Sequence, residues 1–234
     1  MDISRHISYF NPVKDGVPIT IIGAGATGSR VFEACVNLGL REISVFDFDV
    51  VEEHNLANQL YTYTVVAEEL HKVKGLEHWY KVKTASSVPS EMKFIPKKVE
   101  GDMRSHMKGI VFLLTDTMDS RREIAENSLK LNNQVLAVIE TRMAISHGNI
   151  FCFDPKNLSQ YNKWINTLIS DDEGEESACG TSLTVGTTAS IIANLAVNHM
   201  MTYLTNPDVI PDDITDVFLN PLILNTRTWG TIHG

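Results

Sequence analysis

The sequence predicts an α/β fold: a Rossmann-like, doubly wound sheet, parallel in its first half and closed by mixed or antiparallel strands. Three observations predict it. The glycine turn "GAGATG" (23–28) stands between a continuous apolar run and an amphipathic segment. Apolar runs and helical patterns then alternate as far as residue 153, which buries strands between two helical layers. Finally, residues 216–229 hold two strand-like runs about Asn220 and Pro221, the mark of closing strands around a turn.

The elements follow in order. "VPITII" (17–22) reads as a buried parallel strand bounded by Pro18 and Gly23. Val31, Ala34, Cys35 and Leu38 recur at i, i+3, i+4 and i+7, one face of a helix that Gly39 stops. "EISVF" (42–46) is the second strand, which completes a βαβ unit. Residues 66–83 read as a helix with a basic face, and "KFIPKKV" (93–99) as a strand weakened by Pro96. "GIVFLL" (109–114) is a buried strand, 119–132 a helix, and "QVLAVI" (134–139) and "GNIFCF" (148–153) are strands. Residues 154–180 contain "DDEGEE" and little periodicity, and read as a mobile, solvated crossover. "ASIIANLAVNHMMTYL" (189–204) is a helix.

A chain of 234 residues with 43% hydrophobic content suits one domain, 1–234, with a full core. The net charge of −9 argues against general nucleic-acid or membrane binding. Three scattered cysteines, with no CxxC pair, imply neither a disulfide framework nor a cysteine zinc site. "MDISRHISYF" lacks an apolar core and a cleavage signature, so it does not read as a secretory signal. Residues 181–206 carry no Asp, Glu, Lys or Arg, but are too rich in Thr, Ser and Asn for a membrane span. The expected setting is cytoplasmic.

The glycine turn carries the first chemistry. In GxGxxG the first glycine allows the tight turn, the second lets backbone approach phosphate, and the third lets helix pack on strand. Gly23, Gly25, Ala26 and Gly28 are its ligand-facing candidates. Asp47 ends the second strand about twenty residues later, where an acid accepts hydrogen bonds from a ribose. Asp49 is a second ribose contact or a turn aspartate. To this point a dinucleotide fits as well as ATP. Asp116, directly after a buried strand, favours ATP: a carboxylate there suits Mg²⁺ held with substrate phosphates. Its alternative reading is a helix cap, a place Thr117 or Asp119 also fills. Lys72 and Lys74 stand where they could meet a triphosphate.

The ordered set "GAGATG", "DFD", "NLANQ", a lysine and "TD" after a strand resembles the ThiF/MoeB/HesA family, the bacterial relatives of ubiquitin-activating enzymes. The resemblance runs from "RHI" (5–7) to "FLNPLILNTRTW". It implies an ATP-dependent adenylyltransferase acting on the C-terminus of a small ubiquitin-like protein or peptide, with ATP and Mg²⁺ bound and a homodimer formed. It further implies that Asp47 holds the ribose, that Asn55 and Gln59 reach the phosphates, that Lys74 or Lys72 neutralises them and that Asp116 binds Mg²⁺. Arg5 resembles the arginine that enters the partner's ATP site. Cys179, in "SACGTS", falls where some members carry an acylated cysteine.

Three departures stand against the pattern. Asn58 occupies the place of the family's phosphate-binding arginine, and an amide supplies neither its charge nor its fork. Arg30, Arg121 and Arg122 are the candidates to compensate. "LLTDT" lacks the asparagine of the family's "CTDN", and the zinc-binding CxxC pairs are missing. The alternatives left open are a catalytically weakened partner subunit, an enzyme adenylating a small-molecule or tRNA-base carboxylate, and an NAD-dependent dehydrogenase.

Overall fold

The structure is a computed structural model and describes residues 2–168, 185–206 and 213–228, with only the backbone of Asp213. Ile19–Ile22 (β1) lies inside the sheet, all four residues buried. It pairs in parallel with Ile43–Phe46 (β2) and with Gly109–Leu113 (β4). Lys93–Ile95 (β3) adds a short parallel edge strand beyond β2, ending one residue before Pro96, whose ring removes the next donor. On the other side Val135–Met143 (β5) continues the parallel half. His147–Phe153 (β6), Asp213–Leu219 (β7) and Leu222–Thr228 (β8) then run antiparallel, giving the order β3-β2-β1-β4-β5-β6-β7-β8. The expected fold, a parallel half with antiparallel closing strands, is the one observed.

Alternation along the strands fills two cores. Ile21, Val45, Phe112 and Ile139 face one layer, with Ala26–Asn37 (α1), Lys72–Thr84 (α3) and Gly186–Thr205 (α6). Ile22, Phe46, Val111, Leu113 and Val138 face the other, with Met118–Ile124 (α4) and Leu158–Ile165 (α5). In α6 the buried Ala189, Ile192, Ala193, Ala196, Val197 and Met200 form one stripe that packs on α1, β5 and β6. No helix among the described residues is long and apolar enough to cross a membrane.

Two sequence expectations need correction. The single helix over 66–83 is two, Tyr63–Ala67 (α2) and α3, separated where Glu69 takes a left-handed φ of 51°. The crossover read as loop over 154–180 begins with α5. Asn157 caps this helix by accepting the Ser159 and Gln160 N–H groups, and Tyr161 and Trp164 bury on its inner face. Trp164 stacks on Phe153 at 4.6 Å between ring centroids. Burying an aromatic of this size stabilises by about 2–3 kcal/mol, enough to order a short capped helix. The remainder of that stretch, 169–180, lies outside the described residues.

Candidate functional site

Four parallel strands end on one edge of the sheet, and the residues that follow them build one cleft. Gly23 and Gly25 follow β1; Asp47, Phe48 and Asp49 follow β2; Lys97, Lys98 and Val99 follow β3; Leu114 to Thr117 follow β4. The cleft holds about 380 Å³, a volume that suits a small ligand. It lies where the strand order reverses, the place where open α/β sheets take ligands.

Gly23 and Gly28 have the tight turn and the close packing that their spacing predicts. Gly23 has φ +98°, and a Cβ there would meet the Leu114 carbonyl oxygen at 2.6 Å. A Cβ on Gly28 would lie 1.9 Å from the Gly23 oxygen, so only glycine lets α1 pack this close. Gly25 is different: no atom stands within 4 Å of a Cβ there, and the open space belongs to the cleft. Gly25 is also the N-cap of α1, without a side-chain cap and with no acid in the first turn, so the end of the helix, begun by Ala26, is left to attract an anion.

Asp47 is buried, and each oxygen accepts one backbone N–H: Oδ2 from Ala24 at 2.7 Å and Oδ1 from Asp49 at 2.8 Å. Burial raises its pKa above the usual carboxylate value, against the pull of the Ala24 N–H and the Lys72 charge. Each oxygen keeps a lone pair for a hydroxyl donor. Tyr61 ties down the same loop from below, donating to the Ala24 carbonyl at 2.6 Å. Burial raises its pKa well above normal, with Asp47 and Asp49 adding to the shift, so the hydroxyl keeps its proton.

Lys72 and Lys74 separate. The Lys72 side chain is 12% exposed and lines the cleft, and its ammonium pairs with Asp49 Oδ2 at 2.7 Å. Lys74, the closer match to the family lysine, points to Glu77 at 2.8 Å on the outer face of α3 and does not line the cleft. The break between α2 and α3 sets this phase.

Asp116 lines the same cleft as the glycine turn. Thr117, not Asp116, caps α4: its Oγ1 accepts the Ser120 N–H at 3.2 Å. Asp116 is exposed, and the neighbouring Thr115 Oγ1 is buried without a hydrogen-bond partner. No group of three His, Cys, Asp or Glu side chains among the described residues forms a metal cage. One carboxylate and an unpaired hydroxyl fit Mg²⁺, which takes one or two carboxylates and leaves its other positions to water and phosphate.

The amide cluster stands beside the cleft rather than in its lining. Asn55 Oδ1 accepts the Glu52 N–H at 2.9 Å and so closes a local turn over Glu53–Ala57. Leu60 N–H donates to Ser29 Oγ in α1, and Asn58 packs against Gly186 at the start of α6. Asn58 Oδ1 and Gln59 Oε1 are buried without hydrogen-bond partners. Of the three compensating arginines, Arg121 is buried against Glu140, and Arg122 donates to the Leu168 carbonyl. Arg30, next to Ser29, pairs with Glu33 while its Nε is buried without a partner. Arg5 is exposed on the segment whose Ile3 packs by Gly39, beyond the far end of α1. With α1 about 18 Å long, Arg5 is remote from its own chain's glycine turn. Cys179 lies outside the described residues. Cys35 and Cys152 are buried, and burial pushes the Cys35 thiol up to about 12.

Sequence reasoning missed Tyr61, Lys97 and Lys98. The two lysines were read as part of the strand over 93–99, which ends instead at Ile95 and leaves them beyond its carboxyl end beside the other three. Tyr61 carried none, because its partner is a backbone carbonyl thirty-seven positions away in the chain.

A doubly wound sheet with a glycine turn, a buried aspartate and an open carboxylate at one switch-point cleft is the arrangement of a nucleotide-binding α/β fold. The chain matches the ThiF family over residues 16–232 and belongs to that family. No protein of curated function matches it in sequence at a significant level. Among solved structures it is similar to PaaA, with 14% identity and TM-score 0.70 over 95% of this chain and 67% of that one. It is likewise similar to E. coli MccB with ATP, at 15% identity and TM-score 0.68 over 96% and 69%. E. coli MccB with MccA gives 15% identity and TM-score 0.66 over 96% and 70%. At these identities the likeness is one of fold.

Proposed function

We propose that the chain is an ATP-dependent adenylyltransferase that activates a carboxylate, with the C-terminus of a peptide or small ubiquitin-like protein as substrate. The carrying observation is Asp116, released from capping by Thr117 and lining the same cleft as the glycine turn. Family membership supports the reading, as do the E. coli MccB neighbours, which were solved with ATP and with MccA. Asp47 would accept the ribose hydroxyls, while Gly25 and the α1 N-terminus receive phosphate. Lys72 would exchange Asp49 for the polyphosphate as the substrate carboxylate attacks the α-phosphorus and pyrophosphate leaves. Asp116 would hold Mg²⁺, which would supply charge to offset that of the phosphates.

ATP–pyrophosphate exchange in the presence of the acceptor tests this. Asp116→Ala should lower exchange by about a hundredfold or more, the size expected for loss of a main electrostatic group. A wild type that binds no Mg·ATP by calorimetry would overturn the proposal.

A second reading, a non-catalytic partner, is favoured by Asn58: the place of the family arginine holds a neutral amide packed on Gly186. Binding of Mg·ATP without exchange for any acceptor would select it. The position of Arg5 supports a homodimer in which Arg5 serves the partner's cleft. Mixing Arg5→Ala with Asp116→Ala chains would then restore one good site per heterodimer, and a monomer by light scattering would exclude it. Cys179 is proposed as a later acyl acceptor. Cys179→Ala should leave exchange intact and remove only a reductant-sensitive conjugate.

A further inference from the structure

Behind the cleft wall that carries Asp116 lies a charge network that nucleotide binding does not itself explain. Glu140 on β5 is fully buried. Its Oε1 pairs with Arg121 Nη1 at 3.0 Å, and Arg142 Nε donates to both oxygens at 3.1 Å. The Trp164 indole N–H donates to Oε2 at 3.1 Å. One buried carboxylate thus holds two guanidinium groups and one helix.

The outer end of this network is the β4–α4 turn. Arg121 Nε donates to the Thr115 carbonyl at 3.0 Å, Nη2 donates to the same oxygen, and Nη2 also reaches the Thr141 carbonyl at 3.1 Å. Leu114 N–H, bonded to the Ile22 carbonyl, makes the last sheet hydrogen bond of this strand. Beyond it, the Thr115 carbonyl depends on Arg121. The peptide unit is planar, so fixing the Thr115 oxygen also fixes the nitrogen and Cα of Asp116. Arg121 in turn needs a counter-charge, because a buried guanidinium without one is strongly destabilising.

We propose that Glu140 is a positioning residue for Asp116, acting through Arg121 and the Thr115 carbonyl. The inference rests on the adenylyltransferase reading for its purpose, but Glu140 and Arg121 themselves do not line the cleft. Arg142 extends it: its Nη1 and Nη2 donate to Thr167 O and Oγ1, both at 2.8 Å, so the same carboxylate anchors the end of α5.

The test uses Glu140→Gln, with Arg121→Lys as a second variant that keeps the charge but replaces the planar five-donor fork with a compact ammonium that cannot reproduce its geometry. Amide hydrogen exchange over residues 114–120 should quicken at least tenfold, while β1 and α1 keep their protection. The Mg²⁺ concentration that half-saturates ATP binding should rise about tenfold, with metal-free ATP affinity changed less than twofold. If Glu140→Gln fails to fold, Arg121→Lys decides the matter by the same two readouts. Unchanged exchange at 114–120, or a loss of protection spread evenly through the sheet, overturns the inference. If the wild type binds no Mg·ATP, the functional reading fails alone, and exchange at 114–120 still decides the positioning role.

Discussion

Asp47 Oδ2 and the Ala24 N–H meet at 2.7 Å, so the end of the second strand holds the glycine turn that follows the first. The same carboxylate takes the Asp49 N–H at 2.8 Å with its other oxygen. The acid proposed to hold the ribose is therefore a structural tie, and the proposed role separates from the structural one by experiment. Asp47→Asn offers one acceptor and one amino group to two N–H donors, so one donor goes unpaired. Stability should fall by about 1–3 kcal/mol, read from denaturant midpoints. ATP affinity should fall by a further factor of about ten or more after correction for unfolded protein. An unchanged midpoint would sink the structural tie.

The glycine turn separates fold from binding within three residues. Gly28→Ala places a methyl 1.9 Å from the Gly23 oxygen, a contact that demands movement of backbone. A loss of about 3 kcal/mol or more is expected, at the upper end for overpacking. Gly25→Ala meets nothing within 4 Å and should leave the melting temperature close to wild type. Its methyl enters the space where phosphate would approach, so ATP affinity should fall at least tenfold. If Gly25→Ala binds ATP normally, the phosphates do not pass over this turn.

Lys72 and Lys74 make an internally controlled pair. Lys72→Ala removes the ammonium that lines the cleft and leaves Asp49 unneutralised, and should cut ATP affinity by about tenfold or more. Lys74→Ala breaks an exposed pair with Glu77, an interaction worth at most about 0.5 kcal/mol, and should leave ATP affinity unchanged. Equal losses from both variants would contradict the phase of α3. A loss confined to Lys74→Ala would assign the phosphate lysine to the outer face.

Most of this architecture was legible because it depends on local pattern. The apolar runs, the glycine spacing and the acid closing β2 are features of period and position, and Gly23, Gly28, Asp47 and Asp116 stand where those features put them. The parts that were not legible depend on phase or on distant partners. A left-handed Glu69 rotates α3, and with it the choice between Lys72 and Lys74. Asn55 closes its own turn on Glu52. The Glu140 network joins β5, α4 and α5 through charges that look like ordinary surface residues in the sequence. Helix α5 was hidden by the acidic run after it, although Tyr161, Trp164 and Ile165 carried the period of a buried face.

His199 supplies the pH prediction. It lies on the inner side of α6, and one ring nitrogen shares a 2.9 Å hydrogen bond with Thr215 Oγ1 on β7. Burial lowers its pKa below the ordinary value of 6.5, because the charged ring is disfavoured there. Below pH 6.5 the unfolded chain then binds a proton at this site while the folded chain does not. Stability is therefore lost as pH falls from 6.5 toward the folded pKa, at up to about 1.4 kcal/mol per pH unit. Above 6.5 both states are neutral at this ring, and the effect vanishes. His199→Gln keeps an amide for Thr215 and removes the titration. Urea midpoints at pH 7.5 and 5.5 should fall more for the wild type than for the variant, with equal m-values. Equal losses in the two proteins would mean that the ring protonates in the folded state as readily as in the unfolded chain, and that α6 and β7 part enough to hydrate it.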